Sequence, residues 1–483
     1  MSPRRRRPSR LPKAALQLGL TVLALVLVEQ ALRLAGLGPE AGDDPYVGFD
    51  GVTRLYEPDP DDPQWLVTAP GRRNHFNVQR FPAKKPAGVR RIVCVGGSTT
   101  YGRPYTDAVS FPGWLRELLP LADPDGRYEV INAGGVSYAS YRVAVVVDEL
   151  ADYEPDLVVI YTGHNEFLEE RTYGDVRRSS GLLLGLGAAL RDTALFHAAR
   201  RLVGTAPREV ERFELGAEVE TLLDRSVGLD AYVRDDALAA DVAAHFRDSL
   251  ERMVRTARAA GAEVVLAVPA SQLDDCRPFK SEGALPAGTH PEQLATDEIV
   301  DLMTHGPAAR CAQALYDLGR LLLERGDVAE ARSLLEQARD EDLVALRASS
   351  TLQAAVRDVA ADLDVALLDA VDVTDSLAQE LTGLPIPGEE VFLDHVHMTP
   401  RGYGEVALAL VDTLAAAGWL DAAPDWRATL PDVVARVEAG LSVEDHVRAL
   451  SRLAAVLDWA GKTDEAARHT ARGARPPPRS GPP

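Results

Sequence analysis

Residues 91–100 read Arg-Ile-Val-Cys-Val-Gly-Gly-Ser-Thr-Thr, a short apolar run that ends on two glycines and a serine. Arg91 to Val95 has the length and branched apolar content of a buried strand. The glycines after it permit a tight turn at the strand's carboxyl end. Outward from this point, apolar runs alternate with amphipathic helical stretches. A helix around Trp114 to Leu119 precedes a second strand at Tyr128 to Asn132, and a helix from Arg142 to Leu150 precedes a third at Asp156 to Tyr161. Helical periodicity from His245 to Ala260 stops at Gly261, a natural left-handed helix end, before a strand at Glu263 to Val268. Asp364 to Asp369 makes a fifth strand. This alternation predicts an α/β fold with a parallel sheet covered by helices on both faces, carrying its chemistry at the carboxyl ends of the strands.

Two regions break the rhythm. Residues 181–241 are helical in pattern but ambiguous, and 291–349 are strongly helical with no strand, so both are expected as insertions into a main domain spanning 89–420. The second contains Leu318-Gly319, Leu322, Gly326-Asp327, Ala331, Leu335 and Ala338, small and large residues in the places of a tetratricopeptide (TPR) hairpin over about 312–340. Leu453-Ala454, Leu457, Gly461 and Ala466 repeat much of that spacing, which predicts a second TPR-like hairpin within 421–474 ahead of a disordered tail, 475–483. An ordinary helical hairpin packed on the main domain is the alternative, because stacked repeats need at least about three units.

The chain has 483 residues, 46% of them hydrophobic, enough for a substantial core with additions. Its net charge of −21 argues against nucleic acid as a partner, since phosphate binding needs a basic face. Cys94, Cys276 and Cys311 are too few and too scattered for a disulfide framework or a thiolate metal site. At the N-terminus a basic segment, 1–13, with Arg4 to Arg7, Arg10 and Lys13, precedes an apolar run from Ala14 to Val28. The basic cluster stays cytoplasmic, so the chain beyond the apolar run is exported. The uncharged run of about fifteen residues is short of the roughly twenty that span a bilayer. A retained signal-anchor over 14–37, with Glu29 and Arg33 at the far interface, is favoured over a cleaved signal peptide, whose small-residue site is weak here. Residues 38–88, rich in Pro, Asp and Gly, read as a linker or irregular lead-in.

Three segments carry chemistry. Ser98 follows the first strand, but its hydroxyl becomes a nucleophile only beside a base, and Gly-Gly-Ser-Thr taken alone is equally a turn, a helix cap or a phosphate loop. The base appears in Asp394-His395-Val396-His397, where a carboxylate three residues before an imidazole can fix the tautomer that accepts the serine proton. His395 with His397 would instead suggest a metal pair, yet no third ligand has the spacing, so neither metal nor cofactor is expected. Asn165, in Gly163-His164-Asn165-Glu166 after the third strand, can donate to an oxyanion, although a loop asparagine more often satisfies local backbone. His164 reads as scaffold.

These segments, in this order, resemble the SGNH hydrolases, the GDSL-like lipase and esterase family. Gly96-Gly97-Ser98 resembles the nucleophile block, Gly163-His164-Asn165 the asparagine block and Asp394 to His397 the acid–base block, across roughly 91–414. The second block, Asn132-Ala-Gly134-Gly135-Val-Ser137-Tyr138, departs from the family, because the usual oxyanion glycine falls on Ser137. The resemblance implies a flavodoxin-like three-layer α/β/α sandwich and ester chemistry, with Ser98, Asp394 and His397 as triad and an oxyanion hole from Ser98, Asn165 and either Gly135 or Ser137. Water as acceptor makes the enzyme an esterase, and a sugar hydroxyl makes it an O-acyltransferase. The implied substrate is an ester-bearing small molecule, glycan or lipid of the cell envelope. The alternative of another class is a non-catalytic scaffold that keeps the fold and binds a protein partner through its TPR-like hairpins.

Overall fold

The computed structural model describes residues 54–167 and 232–473, apart from 307, 440, 442, 460 and 461, together with Val28. Apart from Val28, these belong to one compact unit formed by residues 54–174 and 214–483. The expected basic segment 1–13, the rest of the anchor 14–37, the start of the lead-in, most of the insertion 181–241 and the tail 475–483 lie outside the described residues. No helix among the described residues is long and apolar enough to cross a membrane.

The lead-in expectation needs correction where it is described. Residues 56–82 hold three short strands, β1 (Tyr56–Pro58), β2 (Trp65–Thr68) and β3 (Arg80–Pro82), paired antiparallel in that order. Asp59 and Asp62 serve the β1–β2 turn instead, accepting the N–H groups of Asp61 and Gln64. Tyr56, Leu66 and Phe81 supply a buried face that joins one of the two main cores. Three strands with so few apolar residues leave no sustained period to read from sequence.

The main sheet contains β4 (Arg90–Gly96), β5 (Tyr128–Gly134), β6 (Leu157–Tyr161), β7 (Glu263–Val268) and β8 (Ala366–Asp369). All are parallel, in the order β5-β4-β6-β7-β8. Successive residues face opposite layers. Ile92, Cys94, Leu157, Val159 and Tyr161 enter one core, whereas Val93, Val95, Val158 and Ile160 enter the other. The first layer is built by α2 (Phe111–Ala122), α9 (Ala370–Thr382) and α10 (Pro400–Ala416), after the single-turn α1 (Ser98–Tyr101). The second is built by α3 (Ser140–Leu150), α4 (Asp236–Ala259) and α8 (Ser350–Asp362). Helices on both faces make the sheet the middle of three layers. Residues 236–241, expected within an insertion, are the first turns of α4.

Between β7 and α8, residues 291–349 form α5 (Thr296–His305), α6 (Ala312–Arg325) and α7 (Val328–Asp340), with no strand. α6 and α7 pack as a hairpin because Gly319 brings the helices close: a Cβ there would lie 3.0 Å from Leu335 Cγ. The C-terminal segment contains α11 (Leu430–Ala439), α12 (Val443–Trp459) and α13 (Thr463–Gly473). Trp426, Leu430, Val433, Val437 and Leu450 are buried in the same core as α2 and α10, so the segment packs on the main body.

Arg91 joins the two sheets. Its side chain is fully buried, pairs with Glu129 and donates to the carbonyls of Tyr153 and Pro82, the last residue of β3. Removing one member of a buried pair strands the other groups, which costs about 3–5 kcal/mol. Arg91→Ala is therefore expected to lower unfolding free energy by about that amount in urea titration. A loss below 1 kcal/mol would mean that the two sheets hold together without it.

Candidate active site

In this strand order β4 and β6 lie side by side and their connections leave in opposite directions, which opens a crevice at their carboxyl ends. Ser98 follows β4 and Asn165 follows β6 at that crevice. The local backbone explains why glycines precede the serine. A Cβ on Gly96 would lie 1.9 Å from the Tyr161 carbonyl oxygen, and one on Gly97 would lie 2.9 Å from Asn165 Nδ2. Only a bare backbone lets the serine turn approach both β6 and the carboxamide. Thr100 pins the turn by donating to the Tyr161 carbonyl at 3.1 Å. Ser98 opens α1 and is buried.

His397 arrives from the loop before α10, and its Nε2 lies 2.8 Å from Ser98 Oγ. Its Nδ1 lies 2.6 Å from Asp394 Oδ2. The other carboxylate oxygen of Asp394 accepts the backbone N–H groups of Val396 at 2.8 Å and His397 at 2.7 Å. Burial pushes the Asp394 carboxyl up, but the imidazoles of His397 and His395 and the hydrogen bonds from His397 outweigh it and hold the carboxyl well below its ordinary value. An ionised carboxylate only accepts, so the Nδ1 proton points at Asp394 and Nε2 is left to accept from the serine hydroxyl.

Asn165 Nδ2 donates to the Tyr138 carbonyl at 3.2 Å, which sets the carboxamide against the β5–α3 loop. Glu166, next in sequence, accepts from the backbone N–H and hydroxyl of Ser140, both at 2.8 Å, and so ties the Asn165 loop to the start of α3. The second block resolves partly. Gly135 is corrected as an oxyanion donor, because its N–H is engaged with the Gly96 carbonyl at 2.9 Å. Its lack of a side chain is a packing requirement, since a Cβ would lie 2.7 Å from Tyr138 Cγ and 2.9 Å from Phe76 Cζ. Ser137 adopts the left-handed conformation, φ 61°, that normally favours glycine. The loop turns there.

His164 acts as a strut, accepting the Ala348 N–H on Nδ1 at 3.2 Å. His395 packs edge-on against Phe279 and His397, with ring centroids 5.5 and 6.2 Å away. No group of three or more metal-ligating side chains occurs among the described residues.

Sequence reading missed the part played by residues 72–77. The Val136 N–H donates to the His75 carbonyl at 2.8 Å, and Asn77 Nδ2 donates to the Tyr101 carbonyl at 2.8 Å. The lead-in thus props both the second-block loop and the end of α1. No spacing signal links these residues to either loop. Burial, with Arg142, Arg72 and Arg103 nearby, drives the His75 imidazole down to about 4. An unfolded imidazole titrates near about 6.5, so between those values the unfolded chain binds more protons. The stability carried by neutral His75 is present above about pH 6.5 and is lost as pH falls toward about 4. Urea midpoints measured across that window are expected to fall less steeply in His75→Gln than in the parent. Parallel curves would reject the assignment.

No family model and no curated protein matches the chain. Solved structures do. One is described as a putative lipolytic protein of the G-D-S-L family from Desulfitobacterium hafniense DCB-2, at 11% identity and TM-score 0.31, covering 67% of this chain and 99% of that one. Another is Axe2, an acetylxylan esterase from Geobacillus stearothermophilus, at 12% identity and TM-score 0.31, covering 67% and 94%. TesA matches at 14% identity and TM-score 0.30, covering 68% and 99%. Likeness at these identities and TM-scores assigns neither activity nor substrate.

Proposed function

We propose that this chain is a serine esterase of the SGNH type that acts through a covalent acyl-enzyme. The observation that carries the reading is the unbroken relay from Ser98 Oγ to His397 Nε2 at 2.8 Å and from Nδ1 to Asp394 at 2.6 Å. Ser98 Oγ attacks the ester carbonyl as its proton passes to His397 Nε2. The tetrahedral oxyanion is held by the Asn165 carboxamide and the N–H groups of Ser98 and Ser137, donors fixed in place before charge develops. Collapse expels the alcohol, which takes the proton from Nε2. Water activated by the same nitrogen then releases the acid and restores the serine.

The substrate class is an ester of a cell-envelope glycan or lipid. That choice rests on the proposed anchor at 14–37, which would hold the catalytic unit on the outer side of the membrane. Should a sugar hydroxyl replace water in the second half-reaction, the same residues would perform acyl transfer, and product analysis with and without an acceptor sugar separates the two outcomes.

The testing experiment is covalent labelling of the full chain with a fluorophosphonate, followed by peptide mapping. One adduct per chain, on Ser98, is expected, together with loss of p-nitrophenyl acetate turnover. Absence of both labelling and turnover in a folded sample would leave a scaffold with a retained hydrolase fold.

A further inference from the structure

The loop carrying Ser98 and the loop carrying Asp394 and His397 meet at the 2.8 Å serine–histidine contact, although they are far apart in the chain. Each is also gripped from outside by one arm of the α12–α13 hairpin. On α12, His446 Nδ1 lies 2.8 Å from the Tyr105 hydroxyl, with the two rings stacked at an interplanar angle of 9°. Tyr105 belongs to the turn leaving α1, where the Gly102 and Arg103 N–H groups donate to the Ser98 carbonyl at 3.0 and 3.1 Å and the Tyr105 N–H donates to Gly102. On α13, Arg472 donates to the Glu389 carbonyl at 2.8 Å and pairs with its carboxylate at 3.3 Å. Glu389 lies five residues before Asp394. Gln272, oriented to satisfy both neighbours, accepts from the Glu389 N–H and donates to the Asp394 carbonyl.

The connection between the two helices adds a third grip. Lys462 donates to the Arg277 carbonyl at 2.6 Å and sits 4.7 Å above the Phe279 ring. Phe279 in turn meets His395 edge-on, and His395 meets His397. Glu465 and Arg472, seven residues apart and thus on one face of α13, bind Arg277 and Glu389 respectively. His469 lies between them on the same face of α13.

The geometry points to the C-terminal hairpin as a clasp of the catalytic apparatus, in which His446 and Arg472 are positioning residues that keep Ser98 Oγ in register with His397 Nε2. This rests on the esterase reading. A shift of about 1 Å at reacting atoms costs on the order of 10²-fold in rate, so a clasp spanning both loops acts on the chemical step and leaves ground-state binding unchanged.

The test uses the full chain with Arg472→Gln, His446→Phe and the conservative Arg472→Lys. Each of the first two is expected to lower kcat for p-nitrophenyl acetate by roughly 10-fold with KM within about twofold, while Arg472→Lys keeps about half of the parent rate. Fluorophosphonate labelling of Ser98 should slow in proportion. A readout independent of turnover is the low-field proton resonance of the His397 Nδ1–H held by Asp394, expected to broaden or vanish in Arg472→Gln. Unchanged kcat, or a loss that disappears when rates are expressed per folded chain, overturns the clasp. If the parent neither turns over ester nor labels at Ser98, the esterase reading fails. The low-field resonance then decides the clasp alone, and an unchanged signal in Arg472→Gln rejects it.

Discussion

Ser98→Ala and His397→Ala are each expected to lower kcat for p-nitrophenyl acetate by about 10⁶-fold, and the double substitution is expected to be scarcely worse than either. The physical reason is that the two side chains form one functional unit. Without the imidazole, the Ser98 hydroxyl keeps its position but has nothing at 2.8 Å to accept its proton. Without the hydroxyl, the imidazole has a proton site and no nucleophile to activate. Residual hydrolysis of about 10³-fold over water should survive in all three variants, supplied by substrate binding and the oxyanion donors. Steady-state kinetics on the three proteins, with the folded fraction checked by urea titration, gives the answer. Losses that add in the double variant would show that Ser98 and His397 act independently, and the relay would have to be abandoned.

Asp394→Asn is expected to cost about 10⁴-fold in kcat with little change in KM. The carboxylate has two tasks that an amide cannot perform together. Oδ2 accepts the proton of His397 Nδ1, and Oδ1 accepts two backbone N–H groups from the loop that delivers the ring. An amide has one oxygen. If that oxygen keeps the backbone, the NH₂ group faces Nδ1, the imidazole takes the other tautomer, and its Nε2–H can no longer accept from Ser98. The depressed Asp394 carboxyl adds a pH signature with a definite sign. A group held below its unfolded value contributes stability that is present above about pH 4 and fades as pH falls through the folded value. The asparagine variant should lose part of the parent's acid sensitivity while gaining no activity at any pH. Retention of more than about a tenth of parental kcat would assign the orienting role to another group.

Much of the site was legible because Ser98 and Asn165 each follow a strand, β4 and β6, while Asp394 and His397 stand three residues apart just before a helix start. Ser98 and Asn165 were singled out by residue type and nearby glycines, Asp394 and His397 by their three-residue spacing, and all four by order along the chain. Their spatial relation was not legible. Residue type offered no means of choosing between Gly135 and Ser137, because a backbone N–H belongs to every residue except proline. Gly135 is removed only by its bond to the Gly96 carbonyl, a contact between adjacent strands. His75, Tyr105 and His446 carried no signal either, since each acts by touching a loop remote in the chain.

The strands β4 to β7 and the helix ending before Gly261 arise from local periodicity, because a residue's tendency to be buried repeats with the geometry of its own element. The β1–β3 sheet is too short for that. Its strands are held by Arg91 and by packing on the larger sheet, and neither is encoded within 56–82. Likewise α12 and α13 were readable as a helical pair, but their place against the Ser98 and His397 loops depends on Tyr105 meeting His446 and Glu389 meeting Arg472. Amphipathic pattern states which face of a helix is buried. The surface that covers that face is chosen by the whole chain, through contacts whose partners lie 83 residues away for Arg472 and 341 for His446.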